Sequence, residues 1–198
     1  RLAHLRGTFQ AYNPIPGRGL GLARESIVRA KRYAINLSER DKKFVQAIDA
    51  MLQRDFKSYN VLLRELTEEF PDDKEALVWF ASSFWVEGSL EKSVHIYERV
   101  IDLDRSYSDA YNMLGYACAE MGQYEKAFSA IKTYTALIPD AWNGYDSGCE
   151  IYMMAGRFEE AMKQADEGLR RVPSHYAFYG RRAQVYFLMG RPDSARET

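Results

Sequence analysis

Hydrophobic positions recur along the chain with the spacing of paired amphipathic helices. The clearest stretch runs from Ser108 to Asp140, where two helical patterns flank a turn at 121–123 and Pro139 stops the second. The same pattern recurs 34 residues upstream, and again 34 and 68 residues downstream. A fixed period of this length predicts an all-α chain built from repeated helix–turn–helix units.

The period divides most of the chain into five units. From Arg40 it runs without an insertion, so the units fall at 40–73, 74–107, 108–141, 142–175 and 176–198, the last of them shortened. The eighth and twentieth positions of a unit are mostly small, which lets its two helices approach closely. The fifteenth position is Arg54 in the first unit and glycine in the others, as a turn with positive φ favours.

The residues before Arg40 follow the pattern less well. Residues 1–19 are predicted to be an irregular basic tail or linker, because structure-breaking residues cluster there. Residues 20–39 are predicted to be an N-terminal helix or a degenerate repeat, with the helix itself from Leu20 to Asn36. Ser38 is the expected N-cap of the helix that follows.

This pattern resembles the tetratricopeptide repeat over residues 40–198. The match is most specific in units 108–141 and 142–175, and it is looser in 40–73, where Arg54 and Tyr59 stand in place of the usual Gly and Ala. The resemblance implies an α-solenoid, a right-handed superhelix of about four and a half units plus the N-terminal helix. Residues 37–73 also resemble repeat arrays attached to bacterial signalling proteins.

The resemblance also implies where a partner binds. In that family the first helices line a concave groove, mainly through unit positions two, five, nine and twelve, and Arg181 at position six is expected near the same surface. The implied partner-binding groove contains Phe44, Ile48, Val78, Ser82, Trp85, Asp109, Asn112, Tyr116, Asp146, Glu150, Met153, Arg181, Gln184 and Phe187. The alternative for its aromatic members is that they only pack between adjacent first helices.

The chemistry of this groove predicts the kind of partner. It combines apolar and aromatic residues with acids, and it lacks Lys at position five and Asn at position nine. We therefore expect a protein or peptide with apolar anchors and some basic residues. Self-association is a further option, because the shortened last unit is expected to leave an apolar face uncovered.

Composition and motifs do not indicate a reaction. The formal net charge of −1 argues against a dedicated nucleic-acid binder. Two cysteines are too few for a disulfide framework or a zinc site, and both fall on helical core positions. The three histidines lie outside any nucleophile motif, and Asp146 and Glu150 are interpreted as surface acids rather than an acid/base pair. No catalytic, cofactor or metal site is predicted.

We therefore expect a non-catalytic protein–protein interaction scaffold within a larger protein or complex. A regulatory or sensory module of a larger signalling enzyme or transcription regulator is the alternative. RNA binding through the basic residues between Arg18 and Lys43 is a more distant one. No apolar run reaches membrane-spanning length, and the lack of a disulfide framework or visible signal peptide favours the cytoplasm, although a start at Arg1 suggests an incomplete N-terminus.

Overall fold

The computed structural model describes residue 25, residues 27–32 and residues 37–196. Within these ranges the chain forms only helices, turns and loops, and residues 27–32 are helical. The predicted irregular segment 1–19 and the remainder of the predicted helix Leu20–Asn36 lie outside the described residues. The later helices are α1 (Glu39–Leu52), α2 (Phe56–Glu69), α3 (Lys74–Val86), α4 (Leu90–Leu103), α5 (Ser108–Glu120), α6 (Tyr124–Leu137), α7 (Trp142–Met154), α8 (Phe158–Arg171), α9 (Ala177–Leu188) and α10 (Pro192–Arg196).

These helices repeat with the period of the sequence. Helices α3, α5 and α7, the first helices of their pairs, start 34 residues apart, while α1 and α9 start within one residue of that register. The second helices start at 34-residue intervals throughout, at Phe56, Leu90, Tyr124, Phe158 and Pro192. The predicted all-α helical repeat fold is confirmed.

Each pair turns through one residue with a left-handed backbone. In the central pair, Gly122 has φ +72°, its N–H donates to Ala119 O at 3.0 Å, and Gln123 N–H donates to Cys118 O at 2.8 Å. Glycine occupies this position in four pairs because a Cβ makes this conformation costly. Arg54 adopts it in the first pair, with φ 62°. The turn geometry is therefore kept even where the glycine is missing.

Small residues at unit positions eight and twenty bring the two helices of a pair together. Ser93 Oγ, fully buried, donates a 2.7 Å hydrogen bond to the backbone oxygen of Ala81. A Cβ on Gly115 would lie 3.6 Å from the backbone oxygen of Ala127 and 3.2 Å from Ile151 Cδ1. A larger residue at either position would push the helices apart, which explains the small side chains in the pattern.

The chain divides into two compact units, residues 1–80 and 81–198, with the boundary inside α3. In the first unit α1 packs on α2, and Phe44, Ile48 and Leu66 belong to its core. Phe44 meets Trp79 edge-on with 5.5 Å between ring centroids. Ser38 caps α1 as predicted, since its Oγ accepts a 3.1 Å hydrogen bond from the backbone N–H of Asp41.

In the second unit each helix from α4 onward packs against the next one in the chain. The first helices also contact one another, α5 with α7 and α7 with α9. Cys149, Ala161 and Phe178 belong to a core formed by α7, α8 and α9. Because each of these first helices contacts the next first helix along the chain, side chains at equivalent positions of successive helix pairs come within reach of each other.

Candidate protein-interaction surface

Four residues of the predicted groove are buried: Asp146, which was predicted to be a surface acid, is 6% exposed, and the other three are apolar core residues. Phe44 is 1% exposed, Ile48 5% and Met153 9%, and each packs into the hydrophobic core of its own unit. Their apolar side chains are thus used to hold α1 and α7 in place. These three side chains are therefore not part of the candidate surface. Val78, in the first unit, is partly buried.

Two aromatic residues meet on the first helices of the second unit. Trp85 on α3 and Tyr116 on α5 have ring centroids 6.5 Å apart with a 48° angle between the ring planes. Both side chains are partly buried. The tilted contact links successive first helices and leaves part of each ring accessible, so the pair serves packing and presents apolar surface as well.

An ionic chain continues from Tyr116 along the same helices. The Tyr116 hydroxyl donates to Glu150 Oε2 on α7 at 2.7 Å. Arg181 on α9 donates to both oxygens of Asp146, from Nε at 2.6 Å and from Nη2 at 2.9 Å, and Nη2 lies 3.5 Å from Glu150 Oε2. We call these five residues, Trp85, Tyr116, Asp146, Glu150 and Arg181, the aromatic–ionic row.

Charges within the row are only partly balanced. Arg181 contributes one positive charge and Asp146 and Glu150 one negative charge each, so the three sum to one negative charge. The hydrogen bonds to Asp146, together with its charge, raise the pKa of Arg181 above its ordinary value. Burial and the charge of Glu150 raise the pKa of Tyr116, so its hydroxyl stays protonated and donates.

The remaining predicted residues lie around this row. Gln184 Oε1 is 3.4 Å from Arg181 Nη1, and Phe187 is 69% exposed at the end of α9. Ser82 is less available, because its Oγ shares a 3.1 Å hydrogen bond with the buried Tyr97 hydroxyl. Asp109 is exposed on α5, whereas Asn112 Oδ1 is buried and has no hydrogen-bond partner among the described residues.

The basic segment proposed for RNA is largely paired with acids where it is described. Four of its cations lie in ion pairs inside the first unit. These pairs are Lys31 with Asp49, Arg40 with Asp73 and Glu75, Lys42 with Glu39, and Lys43 with Glu65 and Glu69. Pairing of this kind reduces the positive charge offered to a phosphate backbone.

A groove of about 680 Å³ lies on the second helices and was not predicted. It runs between α4 and α6 over a floor that includes Leu114. His95 and Arg99 line it on α4, and Lys126, which pairs with Glu98 at 2.6 Å, lines it on α6. Its lining residues are ordinary helix-surface types without a motif, so the sequence offers no signal for it.

The described part of the chain contains no group of three or more His, Cys, Asp or Glu placed to hold a metal ion. None of its helices is long and apolar enough to cross a bilayer. Cys118 and Cys149 are both free and fully buried. Burial raises the pKa of Cys149 to about 12, which keeps it in the unreactive thiol form.

Comparison with known proteins agrees with this architecture. Two family models of tetratricopeptide repeats match, at residues 96–128 and 151–198. No curated protein matches the sequence. A tetratricopeptide repeat protein from Parabacteroides merdae has TM-score 0.68 at 16% identity, with 100% of this chain and 77% of that chain covered.

Two further solved structures are similar. A thermophilic tetratricopeptide protein from Thermus thermophilus has TM-score 0.65 at 18% identity, with 79% of this chain and 86% of that chain covered. MamA from Desulfovibrio magneticus, in a form that starts at its residue 41, has TM-score 0.66 at 14% identity, with 81% and 91% covered. At these identities the likeness concerns the fold.

Fold and contacts together define an all-α helical-repeat protein. The 34-residue helix register, the left-handed turn in every pair and the two family matches identify the repeat. Residues 96–128 and 151–198 match models of the tetratricopeptide repeat, and the fold is that of a helical-repeat protein. This fold is typical of non-catalytic scaffolds that bind other proteins.

Proposed function

We propose that this chain is a non-catalytic scaffold that binds a peptide or a helical segment of a partner protein on the first helices of residues 81–198. The observation that carries the proposal is the aromatic–ionic row. It runs over four successive first helices, α3, α5, α7 and α9, through direct contacts between neighbours. A row of this kind presents aromatic and charged groups at fixed spacing, which is what recognition of an extended or helical segment requires.

The same surface supports a partner with apolar anchors and some basic residues. Apolar area is available at Phe187, which is 69% exposed, and on the accessible parts of Trp85 and Tyr116. Asp146, Glu150 and Arg181 together leave one negative charge beside it. A partner of opposite charge is favoured by electrostatic complementarity, and aromatic contacts supply most of the affinity in interfaces of this type.

Site-specific photocrosslinking on the full chain tests the location of the surface. A photoreactive residue in place of Gln184, which is exposed beside the row, is expected to capture the partner from a lysate of the native source. The matched control replaces Lys132, which is exposed on the second helix α6. Crosslinks that form from the Lys132 position and not from the Gln184 position would refute the proposed surface.

Replacing Trp85 separates binding from packing. We expect Trp85→Ala to weaken binding of the captured partner by about tenfold or more, as for a central aromatic residue of an interface. The melting temperature is measured on the same variant. A loss of stability without a selective loss of binding would make Trp85 a packing residue.

A further inference from the structure

Glu150 has one engaged carboxylate oxygen and one open oxygen. Oε2 accepts the 2.7 Å hydrogen bond from the Tyr116 hydroxyl and faces Arg181 Nη2 at 3.5 Å. Among the described residues, no group donates to Oε1. The side chain of Glu150 is 41% exposed. One oxygen is therefore fixed by the fold while the other is presented to whatever lies on the surface.

Arg181 does not fill this open position. Both oxygens of Asp146 hold its guanidinium, at 2.6 and 2.9 Å, and the Asp146 side chain is only 9% exposed. Moving Arg181 to Glu150 would leave a buried carboxylate without its partner, which is costly. Arg181 is thus committed to Asp146, and the charge of Glu150 remains available to a bound partner.

The single open oxygen favours one kind of cation. A guanidinium prefers two parallel hydrogen bonds to both oxygens of a carboxylate, whereas an ammonium is a compact point donor that needs only one. At Glu150, Oε2 already accepts the hydrogen bond of the Tyr116 hydroxyl and has the Arg181 guanidinium beside it, so only Oε1 is open. The neighbouring Trp85 and Tyr116 rings offer a surface along which the aliphatic part of a lysine can pack.

We propose that this surface recognises a lysine of the bound segment, with its ammonium on Glu150 Oε1, and prefers lysine to arginine at that position. This inference rests on the proposed function, because it assumes that a segment binds along the aromatic–ionic row. It adds the side chain, lysine, that the aromatic–ionic row recognises in such a segment. It also assigns to the Tyr116 hydroxyl a specificity role, since that hydroxyl occupies the oxygen which an arginine would need.

The experiment uses the full chain and peptides selected from a displayed library of random dodecapeptides. A selected peptide is synthesised with Lys, Arg, acetyllysine or Gln at its basic position, and affinities are measured at low and at physiological salt. We expect lysine to exceed arginine by about two- to fivefold and the neutral peptides by at least as much, the range of a partly exposed ion pair. The advantage of the lysine peptide over the neutral peptides should weaken as the salt concentration rises, because salt screens its ion pair with Glu150.

Two substitutions in the protein then assign the preference to its source. Glu150→Gln is expected to lower the affinity for the lysine peptide to that of the acetyllysine peptide, while the matched change Glu159→Gln, on the exposed face of α8, leaves it unchanged. Tyr116→Phe keeps the aromatic ring and removes the hydrogen bond to Glu150 Oε2, so the ratio of lysine-peptide to arginine-peptide affinity should fall. A structural role of the hydroxyl alone would lower both affinities equally.

The outcomes separate this inference from the proposed function. Peptides that require Trp85 but bind equally well with lysine, arginine or acetyllysine would overturn the lysine preference and leave the scaffold function standing. A lysine-to-arginine ratio that is the same in Tyr116→Phe and in the unmodified chain would also overturn it. A selection that yields no peptide dependent on Trp85 would overturn both.

Discussion

Replacing Gly168 by alanine tests a very close helix contact in the second unit. A Cβ at this position on α8 would lie 2.3 Å from Cζ, 2.4 Å from Cε1 and 2.7 Å from Cε2 of Phe178 on α9. Carbon atoms in ordinary contact are about 3.5 Å apart, so the ring would have to move by roughly 1 Å. Phe178 is 0% exposed and packs among the side chains of the core of α7, α8 and α9, so its ring can move only by displacing them.

The size of the effect follows from two opposing contributions. Overpacking of a core costs about 1–3 kcal/mol, and the change from glycine to alanine inside a helix returns about 1 kcal/mol. The difference predicts that Gly168→Ala lowers the free energy of unfolding by up to about 2 kcal/mol. Gly180→Ala is the matched control, because Gly180 is exposed within α9 and its Cβ would meet nothing within 4 Å. It should stabilise the chain by about 0.5–1 kcal/mol.

Urea unfolding followed by circular dichroism measures both variants, and amide hydrogen exchange locates the loss in α8 and α9. Phe178→Leu relieves the clash, so the loss in the double variant with Gly168→Ala should be smaller than the sum of the two single losses. Equal stability of Gly168→Ala and Gly180→Ala would contradict a clash with the Phe178 ring. Losses at Gly168 and Phe178 that simply add would contradict it as well.

Three further predictions concern the turns and the ionisable groups. Arg54→Gly should raise the free energy of unfolding by about 0.5–1 kcal/mol in urea titration, because φ 62° disfavours a side chain. The hydrogen bonds from Arg170 and then Arg171 lower the pKa of Glu167 to about 2. The stability that this carboxylate contributes is therefore complete above its ordinary pKa, and it is lost as pH falls from there through the folded-state pKa of about 2. NMR titration of Glu167 should show this midpoint, and Arg170→Gln should raise it. Burial keeps Cys149 protonated, so iodoacetamide at pH 8 should modify it only after unfolding; modification of the native chain would contradict this.

The contacts that the repeat period determines could be predicted from the sequence. Ser93 meets Ala81 because positions twenty and eight face each other within a unit. Tyr116 and Glu150, 34 residues apart, meet because equivalent positions of adjacent units are neighbours. The pair Arg181 and Asp146, 35 residues apart, lies one residue beyond the period and was open to the same reasoning. Reading Asp146 as an acid of the groove missed that a neighbouring unit supplies its counter-ion.

Other features depend on tertiary packing and could not be predicted. Phe44 and Ile48 occupy unit positions that carry polar side chains in several later units, and the local packing around α1 decides that they are buried. Tyr59 fills position twenty, where alanine is usual, and its ring is accommodated in the core with Leu63. The groove between α4 and α6 arises from the space left between two second helices, which no residue pattern records.

The identical turn at the end of every first helix has a consequence for how this sequence can evolve. Gly122 and Gly156 close their turns with the same hydrogen-bonding pattern, and the helices around them keep the same register. Loss or duplication of one 34-residue segment in the gene therefore joins equivalent backbone positions and preserves the fold. Loss of residues 108–141 would, however, place Trp85 beside Glu150 instead of Tyr116. Recombination between repeats can thus change the proposed recognition surface in a single step and at little structural cost, whereas point mutation changes it one side chain at a time.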